Sequence, residues 1–384
     1  MKPRVVIIGG GIAGVAAAWH LVEFCDVVLV EQEEQVGFHS TGRSAATLSS
    51  TSGLPVVCAL AEASRAFLES PSPGFCDHPL LGPRGLLWIG RDASDAAKLD
   101  DMARLVEAGV APTARRVNAN ECREILPALL DDAVTAGGFW EPDAKSIDVA
   151  LLLQSFLGGA RRRGLEVHTS REMLRALRMR HRSGMWRIEI DGFVLEADYV
   201  VNAAGAWADS VALRAGVSPL GLQPYRRTAF ISPTSSPVDD WPLVMDIGNR
   251  FYFEPEAGGL LVSPSEETPL EPCDAQVDEI DVALGLDRVN EALGITLRSV
   301  RRAWAGLRTF APDRVPVVGC DPGNDAFIWL AGQGGAGIKI APVLGAMVAD
   351  IIGDTEEDPL AAFGESRTSL APSRFGGLRQ PAKI

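Results

Sequence analysis

Three glycines near the start of the chain, Gly9, Gly11 and Gly14, are spaced as GxGxxG, and an acid, Glu31, follows further along. Residues of these types at these spacings can hold a dinucleotide. The first glycine makes a tight turn, the second lets backbone approach a pyrophosphate, and the third lets a helix pack on a strand. Ile12 and Ala13 would open that helix, whose free N–H groups and positive dipole end suit a phosphate. Glu31, with Gln32 beside it, stands where an acid bonds the ribose hydroxyls of an adenosine. A lone GxGxxG is often an ordinary turn. Glu31 instead of a nearby arginine disfavours a 2′-phosphate, which leaves FAD or NAD.

The flanking residues supply the elements such a site needs. Val5-Val6-Ile7-Ile8 is a continuous β-branched run, the mark of a strand buried on both faces. An alanine-rich helix follows through Leu21, and Asp26–Val30 reads as a second strand ending at Glu31. The segment His39–Ser50, HSTGRSAATLSS, is almost all hydroxyls and methyls. It is either a plain surface loop or a lining against which a large flat ligand lies.

Two later strands run into small-residue turns. Tyr199–Asn202 leads into Ala203-Ala204-Gly205-Ala206-Trp207, which resembles the second nucleotide-contacting motif of flavoproteins. Phe327–Ala331 leads into Gly332-Gln333-Gly334-Gly335-Ala336-Gly337-Ile338-Lys339, with a helix expected from about Ile340. That turn aims a helix N-terminus, and the charge of Lys339, at whatever lies above it. A flavin gains negative charge on reduction and profits from such an end. A nicotinamide has no need of it, so FAD is favoured.

The chain of 384 residues exceeds one ordinary core, and its 47% hydrophobic and 22% charged residues are those of a globular protein. A net charge of −14 argues against a nucleic-acid partner. Cys25, Cys58, Cys76, Cys122, Cys273 and Cys320 stand singly, without metal spacing, and read as reduced thiols. No metal constellation is visible. No signal peptide and no membrane-length apolar run are expected. A cytoplasmic location follows as an expectation, with peripheral membrane association left open. The tail from about Ser366 looks weakly organised.

GGGIAG, HSTGRSAA, NAAGAW, WAGLR and GQGGAGIK occur in this order over nearly the whole chain. The set resembles the D-amino-acid oxidase, glycine oxidase and sarcosine oxidase group of FAD enzymes. Within it, Phe75–Leu81 and Gly221–Pro224 before Arg226-Arg227 are most similar to bacterial FAD-dependent D-arginine dehydrogenase. The resemblance implies that Ser40, Thr41, Arg43, Ser44, Ala45 and Ala46 line the flavin, with His39 beside the adenosine half and Arg43 by the phosphates or the flavin edge. Ala204, Gly205, Trp207, Gly334, Gly335, Gly337, Ile338 and Lys339 would complete the cofactor site. The flavin would be bound non-covalently, because Phe310-Ala311-Pro312-Asp313 occupies the region where related oxidases carry a linking cysteine.

The same resemblance implies that Arg227 and Arg308 grip a substrate carboxylate with Tyr252, close to Gly335. A guanidinium pairs with a carboxylate through two parallel N–H···O bonds, so the proposed grip suits the residue type. Strand alternation puts Tyr252 opposite in face to Phe251 and Phe253. Thr47, Leu48, Ser49 and Ser52 would face the substrate. Leu86 stands where the relative has a glutamate that pairs with a cationic side chain, and Thr47 and Ser52 replace its histidine and tyrosine. The implied substrate is therefore a D-amino acid with an uncharged or apolar side chain. Its Cα hydride would pass to flavin N5, giving an imino acid that hydrolyses to a 2-oxo acid. A dehydrogenase is favoured over an oxidase, because the active-site lysine of sarcosine oxidases has no counterpart. The electron acceptor would be a quinone, another carrier or oxygen.

Three alternatives stay open: a 2-hydroxy-acid dehydrogenase, an oxidase of N-methyl or secondary amino acids, and a flavin-binding protein without turnover. The expected architecture is α/β, α+β overall. A Rossmann-like FAD-binding domain would take residues 1–80, 143–218 and 308–384. A discontinuous antiparallel-sheet substrate domain would take 81–142 and 219–307.

Overall fold

The computed structural model describes residues 2–179, 184–256, 258–355 and 357–376; His181, read from sequence as a helix or surface position, lies outside them. Arg4–Ile8 is the third strand from one edge of a six-stranded sheet, between Asp26–Val30 and Tyr199–Asn202. Glu166–His168 extends one side, and Asn324–Ala331 with Val317–Asp321 the other. All pairings are parallel except that of Val317–Asp321 with Asn324–Ala331.

The β-branched run at the start is apolar at every position because both faces of this sheet are covered. Val5, Ile7, Val27 and Leu29 pack against the helices Ile12–Leu21, Val149–Arg162 and Gly337–Gly353. Val6, Ile8, Val28 and Val30 pack against a three-stranded antiparallel sheet that contributes Trp186 and Ile188. Gly14 sits where the first helix meets its own strand: a Cβ there would lie 2.0 Å from the Gly9 carbonyl oxygen.

The second large sheet has nine strands. Arg302–Phe310 and the short strand Thr268–Pro269 both lie antiparallel on Gln223–Pro233, and the order continues through Gly259–Ser263, Tyr252–Glu256, Leu243–Asp246, Leu86–Gly90, Gly137–Glu141 and Arg115–Val117. It is not wholly antiparallel, because Leu243–Asp246 runs parallel to Leu86–Gly90. The chain leaves for the first sheet between these two strands, and so long a connection allows a parallel return. Phe251 and Phe253 face the side that carries the helix Glu279–Asn290, and Tyr252 faces away, as alternation requires. A small sheet of Thr47–Leu48, Lys145–Ile147 and Leu81–Pro83 stands between the two large ones in sequence.

Within the described part of the tail, residues 366–376, the chain is better ordered than its sequence suggests. Residues 367–370 and 372–375 form single 3₁₀ turns that bury Leu370 and Phe375, and Arg374 pairs with Asp313.

His20, on the first helix, is largely buried, and its Nε2 has no hydrogen-bond partner. Burial pushes its pKa from 6.5 down to about 4. The folded protein therefore keeps His20 neutral where the unfolded chain protonates it, so stability is full above pH 6.5 and is lost between there and about pH 4. The loss amounts to roughly 3 kcal/mol. Urea unfolding at pH 7 and pH 5 should show it, and His20→Gln should reduce the difference between the two.

Candidate active site

A cavity of about 680 Å³ runs between the two large sheets, from Glu31 and Gln32 at one end to Arg227, Tyr252 and Arg308 at the other. At the first end Gly9, Gly11, Ile12 and Ala13 line it. Gly9 has φ +110°, and a Cβ there would lie 2.4 Å from the Ala203 carbonyl oxygen. Gly11 differs: a Cβ on it would meet only Thr41 Oγ1, at 3.4 Å. No neighbouring protein atom demands glycine there, so the bare backbone is a cradle for something outside the chain. Thr41 Oγ1 accepts from the Ile12 N–H at 3.0 Å, and Gly11 adds no capping side chain. Both carboxylate oxygens of Glu31 are fixed by backbone, Gly10 N at 2.6 Å and Glu33 N at 2.9 Å. Each oxygen keeps a lone pair for a sugar hydroxyl. Gly14 does not line the cavity; its role is the packing described above.

The small polar segment is a lining. His39, Ser40, Thr41, Arg43, Ser44, Ala45, Ala46 and Thr47 all face the cavity, and so do Ala204, Gly205 and Trp207. The His39 ring stands 4.6 Å from the Trp207 ring and its Nε2 meets Glu33 at 2.8 Å. Of the two places expected for Arg43, the phosphates and the flavin edge, the first is disfavoured. Its guanidinium donates to the Ala275 and Ala305 carbonyls and pairs with Asp274, so it is not free for phosphates. It is a clasp: Trp304 Nε1 donates back to the Arg43 carbonyl at 2.9 Å, and Ser40 Oγ to the Leu307 carbonyl at 2.6 Å. The lining segment is thus tied to the nine-stranded sheet.

The helix expected from about Ile340 starts earlier, at Gly337, so its N-terminus lies at the cavity wall formed by Gly334, Gly335, Gly337, Ile338 and Lys339. Lys339 is fully buried. Its Nζ donates to the Ser49 and Ser52 carbonyls at 2.8 and 2.7 Å, and desolvation holds its pKa below the usual lysine value. Behind these serines lies Glu141, which sequence reasoning missed; it accepts from Ser49 Oγ, Ser50 N and Thr51 Oγ1. Trp88 Nε1 donates to Thr51 Oγ1 at 3.0 Å, joining sheet to network.

The far end assembles the arginine pair. Gln223–Pro233 and Arg302–Phe310 pair so that Arg227 lies opposite Gly306, and Arg308 opposite Tyr225. The two arginines are diagonal neighbours on one face. Arg227 is 7% exposed, donating from Nε to the Glu266 carbonyl at 2.8 Å and from Nη2 to Glu267 at 3.3 Å. Burial, and then the charge of Arg308, push its pKa down to about 10. Arg308 Nη2 donates to the Tyr252 hydroxyl at 3.3 Å.

Two pocket assignments need correcting. Leu48 does not line the cavity: alternation turns Thr47 and Ser49 inward and drives Leu48 into the core beneath the first sheet. Leu86 does not line it either. It is fully buried beside Leu243, which does reach the cavity. Ser52 and Thr47 do line it. Residues missed from sequence include Trp88, Met245, Glu254 and Glu267. Alternation from Tyr252 could have found Glu254, two residues further along its strand.

Gly11→Ala tests the cradle. The apoprotein should unfold at an unchanged temperature while FAD content falls, about tenfold in affinity for each 1.4 kcal/mol of clash. Gly335→Ala tests the other end. Its methyl would sit 3.1 Å from Arg308 Nη1 and displace the guanidinium. KM for a carboxylate substrate should rise on the order of tenfold with flavin content intact.

Residues 4–351 match the family described as FAD dependent oxidoreductase. Glycine oxidase from Bacillus licheniformis is 22% identical over 90% of this chain and 92% of its own. Among solved structures, glycine oxidase from Geobacillus kaustophilus superposes with TM-score 0.80 at 23% identity, covering 93% of this chain and 96% of that one. L-Proline dehydrogenase from P. horikoshii superposes with TM-score 0.81 at 20% identity, covering 98% of each. No helix among the described residues is long and apolar enough to cross a membrane, and none of their His, Cys, Asp and Glu groups is arranged to hold a metal. The family match covers nearly the whole cavity-forming chain, and the open cradle at Gly11 is what a dinucleotide requires: the chain belongs to the FAD-dependent oxidoreductases.

Proposed function

We propose that this chain oxidises an amino acid, of D configuration, at its Cα–N bond, passing the electrons to a carrier such as a quinone in preference to oxygen. The observation that carries the reading is the convergence of Arg227, Arg308 and Tyr252 on the cavity that the FAD-lining segment also faces. The chemistry FAD supplies when bound is acceptance of a hydride at N5. Everything else falls to the chain. Arg227 and Arg308 bind the carboxylate and fix the direction in which Cα–H points. Tyr252, held by Arg308, donates its hydroxyl hydrogen to the same carboxylate. The burial that lowers the Arg227 pKa also strengthens its attraction for a carboxylate. His39 is the only histidine on the described lining and is bonded to Glu33, so the amine proton leaves to water. The imino acid then hydrolyses to a 2-oxo acid in solution.

Non-covalent FAD is part of the proposal, supported by a cavity lining with no cysteine among the described residues. The division of labour follows the sheets: the six-stranded sheet and its helices hold the cofactor, and the nine-stranded sheet holds the substrate. A cytoplasmic site of action fits six free cysteines.

Anaerobic bleaching of the flavin by a panel of D- and L-amino acids, N-methyl amino acids and 2-hydroxy acids tests the reading; bleaching by hydroxy acids alone would overturn it. Arg227→Met and Arg308→Met should each lose about 2–5 kcal/mol of substrate binding with flavin retained. Near-wild-type kinetics in both would move the carboxylate elsewhere.

A further inference from the structure

Glu254 lies two residues from Tyr252 on the strand Tyr252–Glu256, on the same face, and lines the same cavity. Its surroundings on that face are apolar: Leu261 is its partner across the sheet, and Leu243 and Ala229 lie on the same floor. The side chain is 7% exposed; the like charge of Glu256 bears on it, and Arg84 Nε forms an ion pair with it at 3.5 Å. That is too far for a good hydrogen bond, and Arg84 Nε has no hydrogen-bond partner. Burial raises the Glu254 pKa to about 7, with Arg84 pulling the other way. A carboxyl set among leucines, ion-paired but without a close donor, keeps acceptor capacity that the chain leaves unfilled. A donor arriving in the cavity would complete it.

We infer that Glu254 reads the substrate's side chain, and that the substrates are amino acids whose side chain ends in a nitrogen donor, amine or amide, not in hydrocarbon. This rests on the reading that the chain oxidises amino acids, and it narrows the expectation of an uncharged or apolar side chain, which depended on Leu86 facing the cavity: the apolar part is replaced and amine ends are added. Tyr252 reaches Arg308, so it marks the carboxylate end. Glu254 lies roughly 7 Å along the strand from it. A substrate anchored at the clamp therefore needs a side chain several atoms long to reach this carboxyl. Short substrates would leave it unpaired. Hydrocarbon chains would reach it and bury it without a partner, and a site with a stranded polar group discriminates strongly against such ligands.

The test compares kcat/KM for ornithine and glutamine with that for norvaline, in the D and L forms, using an artificial acceptor. Wild type should favour the two nitrogen-ended substrates by at least about tenfold. Glu254→Leu should reverse the ratio. Glu254→Gln keeps size and shape and should retain the preference for glutamine while losing that for ornithine. Absorbance of bound flavin reports that each variant is folded and loaded. A wild type that prefers norvaline, or an unchanged ratio in Glu254→Leu, overturns the assignment of Glu254 while leaving amino-acid oxidation standing. A wild-type flavin that no amino acid bleaches overturns both.

Discussion

Two guanidinium groups on adjacent strands, one almost removed from water, set the terms for the rest of this structure. Arg227 and Arg308 repel each other, and burial weakens the water that would otherwise screen them. The fold answers with acceptors, not with distance. The Glu266 carbonyl and the Glu267 carboxylate take one side of Arg227, and the Tyr252 hydroxyl takes part of Arg308. Arg314 shares Glu267, which keeps that acid from neutralising Arg227 alone. What is left is a concentrated positive field facing a cavity. A carboxylate satisfies it better than any residue present, and the selectivity of the site begins there.

The cofactor half was legible in the sequence because its determinants are local. GxGxxG, the strand before it and the acid after it each constrain backbone within a few residues, and the structure places Arg4–Ile8, Ile12–Leu21 and Asp26–Val30 where the pattern puts them. The small polar segment could be read either as a loop or as a lining until its resemblance to known flavoproteins was considered. The helix after the last glycine cluster begins at Gly337, ahead of expectation, because a glycine-rich start hides helical periodicity.

The substrate half was harder, since its members come from strands far apart in sequence. Arg227 faces Gly306, and neither says so locally. Alternation was enough to orient Tyr252, yet Leu86 was misplaced, because whether a residue on the right face reaches a cavity depends on what its neighbour across the sheet covers. Leu243 does the covering here. Of the two places expected for Arg43, the phosphates drop out for a related reason. An arginine in a cavity-lining segment invites a phosphate, but one acceptor from the facing sheet, Ala305, and two from the loop before the helix Glu279–Asn290, Asp274 and Ala275, had already claimed it.

That clasp has a mechanical meaning. Ser40, Arg43 and Trp304 pin the small polar segment that lines the cavity to the nine-stranded sheet and its neighbouring loop, through bonds to Leu307, to Asp274 and to main chain. On the proposed function, the gap between an electron donor held by one sheet and an acceptor held against the other is set by these few rivets. Hydride transfer is steep in distance, so the pace of the chemistry rests partly on how stiffly these rivets hold.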